Sequence, residues 1–139
     1  ERPTNAFVAA FIGSPAMNFG QFQASSSNGT LALACGRCRL SVDTNSPAPP
    51  DVLVGVRPEH ARLWVSDSAL VGPIEGRVLF EEALGRETLI GVEVETDLRF
   101  VVVAEGMDKP RLGEIVRFGF LPGNLYLFDT ASERLLNRV

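Results

Sequence analysis

The sequence predicts a mainly β, barrel-like domain preceded by one short helix. Three observations lead there: from Asn18 onward apolar residues recur at every second position, the runs between turn residues are short, and helical spacing appears only ahead of Asn18. Gly 13 and Pro 9 punctuate 139 residues, yet 45% of the chain is hydrophobic, which is enough for a core in a turn-rich domain. An immunoglobulin-like sandwich is the competing arrangement, and short meanders joined by Gly-Arg turns favour the barrel.

The helix is expected over residues 4–12. Thr4 or Asn5 can cap it, Phe7, Val8, Phe11 and Ile12 form a stripe at helical spacing, and Gly13 with Ser14-Pro15 ends it. About two turns of helix are marginal alone, so the stripe requires a surface. That surface is expected in a preceding part of a longer protein, because the chain starts at Glu1 without an initiator Met.

Residues 19–24 suit a strand, and 25–29, SSSNG, a turn. A hairpin follows. If Gly36-Arg37 is a two-residue type II′ turn, Cys35 pairs with Cys38, Leu33 with Leu40 and Leu31 with Val42, and all six face the same way. This register gives both cysteines a structural role in the core. A redox pair and a metal site are the other readings of C-x-x-C, and zinc lacks ligands because His60 is the one histidine. Residues 43–50, DTNSPAPP, read as a loop, 52–57 as a buried strand stopped by Pro58, and 59–64 as a short helical turn or another strand. After the connector SDSALVGP come GRVLFEEALGRETLIGVEVE, DLRFVVVAEG, GEIVRFGFLP and NLYLFD. These have the count and length of a small sheet that closes on itself, with Val78 and Phe80 on one face and Gly91, Gly113 and Gly119 permitting bends.

The chemistry is sparse. A net charge of -4 with no Lys/Arg block makes nucleic acid and anionic membrane surfaces poor partners, and no apolar run is long enough to span a bilayer. There is no G-x-x-x-x-G-K-[ST] phosphate loop, and Lys109 lies in MDKPRLG, a turn. Arg57, Glu59 and His60 cluster where a buried strand ends. Glu beside His invites an acid/base reading, but the local sequence places no nucleophile there. A structural junction fits better: the Arg57 fork reaches carboxylates or carbonyls, and Glu59 meets amides of the turn that Pro58 begins. A ligand-binding rim at the strand end is the remaining reading. Glu81, Glu82, Glu87 and Glu93 read as a solvated face rather than a cation site, and no catalytic, cofactor-binding or metal residue is expected.

FVAAFIGSPAMNF, VGVRPEH, LGRETLIGVEV and GEIVRFGFLPGNLYLFD occur in that order across almost the whole chain. Together they resemble the C-terminal part of the ATP-binding subunits of carbohydrate ABC importers of the maltose, trehalose and glycerol-3-phosphate type. In that family a regulatory extension carries the TOBE region of OB-fold barrels. The resemblance implies that residues 1–17 are the terminal helix and linker of a nucleotide-binding domain. It implies that 18–139 form a regulatory domain of two small intermixed OB-like barrels. It further implies a non-catalytic regulatory and dimerisation role, with no cofactor in this chain and ATP and Mg in the parent. The partners implied are a second copy of the ATPase subunit, a cytoplasmic regulatory protein and transmembrane permease subunits, at the cytoplasmic face of the membrane. Tyr126 stands where the family often has His, and residues 41–51 match its variable loop. An oxyanion-sensing barrel of the molybdate-binding type and an oligonucleotide-binding OB module are the alternatives. The second calls for a basic groove with exposed aromatics, against the negative charge here.

Overall fold

The structure, a computed structural model, describes residues 17–66, 69–106 and 109–139. The expected helix over 4–12 lies outside the described residues. From residue 18 the alternating pattern becomes eleven strands: β1 Asn18–Ser27, β2 Thr30–Cys35, β3 Cys38–Asp43, β4 Asp51–Val56, β5 Ala61–Leu63, β6 Val71–Leu84, β7 Glu87–Glu95, β8 Leu98–Glu105, β9 Ile115–Phe120, β10 Tyr126–Asp129 and β11 Leu135–Arg138. They form a six-stranded sheet in the order β11-β10-β4-β1-β2-β3 and a closed five-stranded barrel, β5-β8-β7-β6-β9.

The β2–β3 hairpin has the register expected of it, with Cys35 opposite Cys38, Leu33 opposite Leu40 and Leu31 opposite Val42. Gly36 has φ 57° and Arg37 has no positive φ, the pattern of a type II′ turn. Before it, β1 runs further than the serine-rich composition implied. The turn shrinks to Asn28-Gly29, whose φ values of 50° and 79° fit a type I′ turn, so the three serines pair with β2 instead of looping.

Two expectations about the second half change. NLYLFD does not close the barrel: β10 pairs with β4, Tyr126 opposite Gly55 and Phe128 opposite Leu53. Its place in the barrel is taken by β5, three residues long, which is too short for any period to show. Phe80 does not share an inward face with Val78, because a bulge between them turns it outward to 46% exposure. Its ring then lies across Gly91 on the neighbouring strand, where any Cβ would collide with it. Gly91 is therefore needed for this close approach as well as for curvature.

The inner face of the open sheet carries Phe22, Leu31, Leu33, Leu40, Val52 and Val54, which pack in one continuous core with the barrel residues Ile90, Val92, Val102, Phe100, Phe118 and Phe120. The last three rings meet pairwise at 5.3–5.8 Å between centroids in tilted or edge-on geometry. The two sheets thus share a single core.

Candidate functional site

The strand that ends at Val56 leaves the open sheet and enters the barrel through Arg57 and a single 3-10 turn, Pro58–His60. Pro58 opens the turn because it has no N–H to orphan and its φ suits a first-turn position. The His60 N–H donates to the Arg57 carbonyl at 2.9 Å, and the Leu121 N–H donates to the His60 carbonyl at 2.9 Å. Glu59 engages through its backbone: its carbonyl accepts from Arg62 Nε at 2.7 Å. The Arg62 guanidinium also reaches Glu105 on β8, 3.4 Å away. The junction therefore ties the start of β5 to the turn before it and to the strand beside it. Arg57, Glu59 and His60 are all half-buried, and His60 Nδ1 is a buried atom with no hydrogen-bond partner among the described residues.

Tyr126 is not part of this turn. It faces the outer side of the open sheet opposite Gly55, stacks on Phe128 at 6.5 Å and carries the Arg138 guanidinium 5.3 Å from its ring centre. Tyr126 thus sits on β10 beside β4, the strand that leads into the turn carrying Glu59 and His60.

Both cysteine thiols are free, Cys38 buried and Cys35 half-buried. Burial pushes the Cys38 thiol up to about 11, helped by Cys35 and Glu95 and opposed by Arg39. Cys35 is raised too, by burial and then Glu95. The hairpin register and the burial of Cys38 support the core-packing reading for that residue, with the half-buried Cys35 packed against the edge of the core. Among the described residues no group of three or more His, Cys, Asp or Glu is placed to hold a metal.

Sequence reasoning missed the contacts that join the two sheets. Asn18 Nδ2 donates to the Val101 carbonyl at 2.9 Å, and the Val101 N–H donates to Asn18 Oδ1 at 2.8 Å. One buried amide thus forms with β8 the pair of bonds that a neighbouring strand would form. At the other end Glu95 Oε2 accepts from the Arg37 N–H at 2.9 Å, so a barrel carboxylate holds the tip of the β2–β3 hairpin. A Cβ at Gly36 would lie 2.7 Å from that carboxylate, a second reason for glycine there. The only hint of either contact in the sequence was an inward-facing Asn at the start of a strand.

An open polar groove of about 870 Å³ runs along the outer face of the open sheet past Gln21, Gln23, Cys35, Arg39, Asp129 and Thr130. The Ser132 hydroxyl and N–H donate to Asp129 at 2.6 and 2.9 Å and hold its carboxyl below the ordinary carboxylate range, so this carboxylate closes a turn. None of Arg57, Glu59, His60 or Tyr126 lines the groove. What the molecule offers is a pair of sheets locked together, with no convergent set of reacting groups among the described residues.

Comparison with known proteins gives that arrangement a family. A model described as the TOBE domain matches residues 54–128, more than half of the chain. The chain belongs to the TOBE domain family. A MalK OB fold domain model matches residues 13–61, so the two matches meet at the Arg57 junction of this TOBE chain. It is 36% identical over 141 residues to the sn-glycerol-3-phosphate import ATP-binding protein UgpC of Psychromonas ingrahamii, covering 96% of this chain and 36% of that protein. It is 40% identical over 139 residues to the alpha-glucoside transport ATP-binding protein AglK of Rhizobium meliloti, covering 96% of this chain and 37% of that one. With the trehalose import ATP-binding protein SugC of Mycobacterium tuberculosis the identity is 32% over 166 residues, covering 95% and 41%. The TOBE chain thus spans little more than a third of these curated relatives, all of them ATP-binding subunits of carbohydrate-type ABC importers, as the four sequence segments indicated. A solved structure of the cytoplasmic molybdate-binding protein ModG shares the fold at a TM-score of 0.58 and 12% identity, covering 84% of this chain and 96% of that one.

Proposed function

We propose that this TOBE chain is the non-catalytic regulatory and dimerisation domain of the ATP-binding subunit of a sugar ABC importer. One observation carries the reading: import ATP-binding proteins match it over nearly its whole length, while it accounts for little more than a third of theirs. The parent would bind ATP and Mg in the remaining part and couple hydrolysis to carbohydrate uptake at the cytoplasmic face of the membrane, with permease subunits as its transmembrane partners. The domain would contact its counterpart on the second ATPase subunit and receive a cytoplasmic regulatory protein.

The physical properties suit a handle. A single core and the Asn18 and Glu95 contacts make the two sheets one rigid body, able to carry a displacement of one end to the other. Leu79 and Phe80 on β6 and Ile115 on β9 are exposed apolar side chains, a surface on which a protein can bind.

Calorimetric titration of the chain with Mg-ATP is expected to give no heat beyond dilution, and a micromolar dissociation constant would refute the non-catalytic assignment. A parallel titration with molybdate separates this reading from the oxyanion-sensing one. In the intact ATP-binding subunit, charge introduced at Phe80 by Phe80→Glu is expected to weaken self-association measured by sedimentation; unchanged association would place the contact on another face.

A further inference from the structure

The outer face of the open sheet carries a row of four residues laid straight across four strands. Asp51 on β4 is opposite Gln23 on β1, Gln23 is opposite Ala34 on β2, and Ala34 is opposite Arg39 on β3. Phe22, Leu33, Leu40 and Val52 point into the core, so alternation turns this row to the other side, together with Gln21. Strands lie about 4.8 Å apart, which puts Arg39 and Asp51 roughly 14 Å from each other at backbone level. Arg39 Nη1 donates to the Gly36 carbonyl at 2.6 Å, and no ion pair joins it to Asp51 among the described residues. Ala34 leaves a gap one side chain wide between Gln23 and Arg39. The row lines the groove of about 870 Å³, a volume ordinary for a small-molecule site. Thr130 lines it too, and its hydroxyl is buried with no hydrogen-bond partner among the described residues.

We infer that this groove binds an uncharged, polyhydroxylated small molecule, a saccharide or polyol, with Gln21, Gln23, Arg39 and Asp51 as its hydrogen-bonding partners. The chemistry of the row selects this class. Each glutamine amide offers donors and an acceptor, Arg39 offers only donors and Asp51 only acceptors. A hydroxyl both donates and accepts, so a ligand bearing several hydroxyls answers every group along the row. An anion would meet Arg39 but also the carboxylates of Asp51 and Asp129, and a cation would meet the reverse, so neither charge finds a matching field. The adjacent charges of an α-amino acid cannot reach both Arg39 and Asp51 across three strand spacings. The buried Thr130 hydroxyl supplies an independent sign, because a group of this kind takes its partner from a ligand or water in the groove. The inference comes from the groove itself and holds whether or not the domain serves dimerisation.

Amide NMR spectra of the isotope-labelled full chain, titrated separately with maltose, glycerol and sodium sulfate, test it. Saturable shifts of the Gln21 and Gln23 side-chain amides and of the Ala34 and Arg39 backbone amides are expected with an uncharged probe and not with sulfate. Saturation by maltose assigns a saccharide, and saturation by glycerol alone assigns a small polyol. Ala34→Ile, which fills the gap with a good strand former, is expected to abolish the saturable shifts. Gln23→Ala should raise the dissociation constant about fivefold, the effect of one lost hydrogen bond. Both side chains lie outside the core, so each variant should keep the parent's urea midpoint, which separates lost binding from lost folding. No saturable shift with either uncharged probe, saturation of these amides by sulfate, or undiminished binding in both variants would overturn the inference.

Discussion

Asn18→Ala is the substitution whose effect follows most directly from the structure. The side chain is buried, and its amide exchanges two hydrogen bonds of 2.8 and 2.9 Å with the Val101 backbone, 83 residues away. Alanine removes both bonds and leaves the N–H and C=O of Val101 without those partners. A net bond contributes roughly 1 kcal/mol, and an orphaned buried group costs about 1–3 kcal/mol, so the expected loss is about 2–4 kcal/mol. Small domains have about 5–15 kcal/mol in total, which makes this a large share and lowers the melting midpoint by roughly 8–15 °C. Urea unfolding followed by Trp64 fluorescence and far-UV circular dichroism measures it. Asn18→Asp keeps shape and acceptor but sets a carboxylate against the Val101 carbonyl, so it should be at least as damaging as alanine. A loss below about 0.5 kcal/mol in both variants would refute the argument that this amide locks the sheets together.

Stability should fall as pH rises from about 8.5, the ordinary thiol value, toward about 11, because the unfolded chain then releases a proton that folded Cys38 retains. Below that window the thiol is neutral in both states and contributes no slope. Cys38→Ala should flatten the profile, and an equally steep alkaline loss in that variant would assign it elsewhere. Arg57→Ala should cost roughly 1–3 kcal/mol if the half-buried guanidinium anchors the strand-to-turn junction. An unchanged denaturation midpoint together with lost partner binding would make Arg57 a recognition residue instead.

Local chemistry determined a good deal of this protein. The β class, the register of the β2–β3 hairpin and its Gly36 turn, the stop at Pro58 and the family resemblance were all legible, because each depends on residues adjacent in sequence or on a period of two. Tertiary structure decided the rest. Whether β10 completes the barrel or returns to β4 depends on which edge is open, and its alternating residues suit either sheet. The bulge that turns Phe80 outward depends on the space above Gly91 on another strand. β11 places half-exposed leucines side by side, and that pattern has no strand period to detect. The Asn18–Val101 and Arg37–Glu95 bonds join groups that only the completed fold makes neighbours. Alternation specifies which side of a strand is buried, whereas the choice of neighbour is settled by closure and packing, to which distant residues contribute at once.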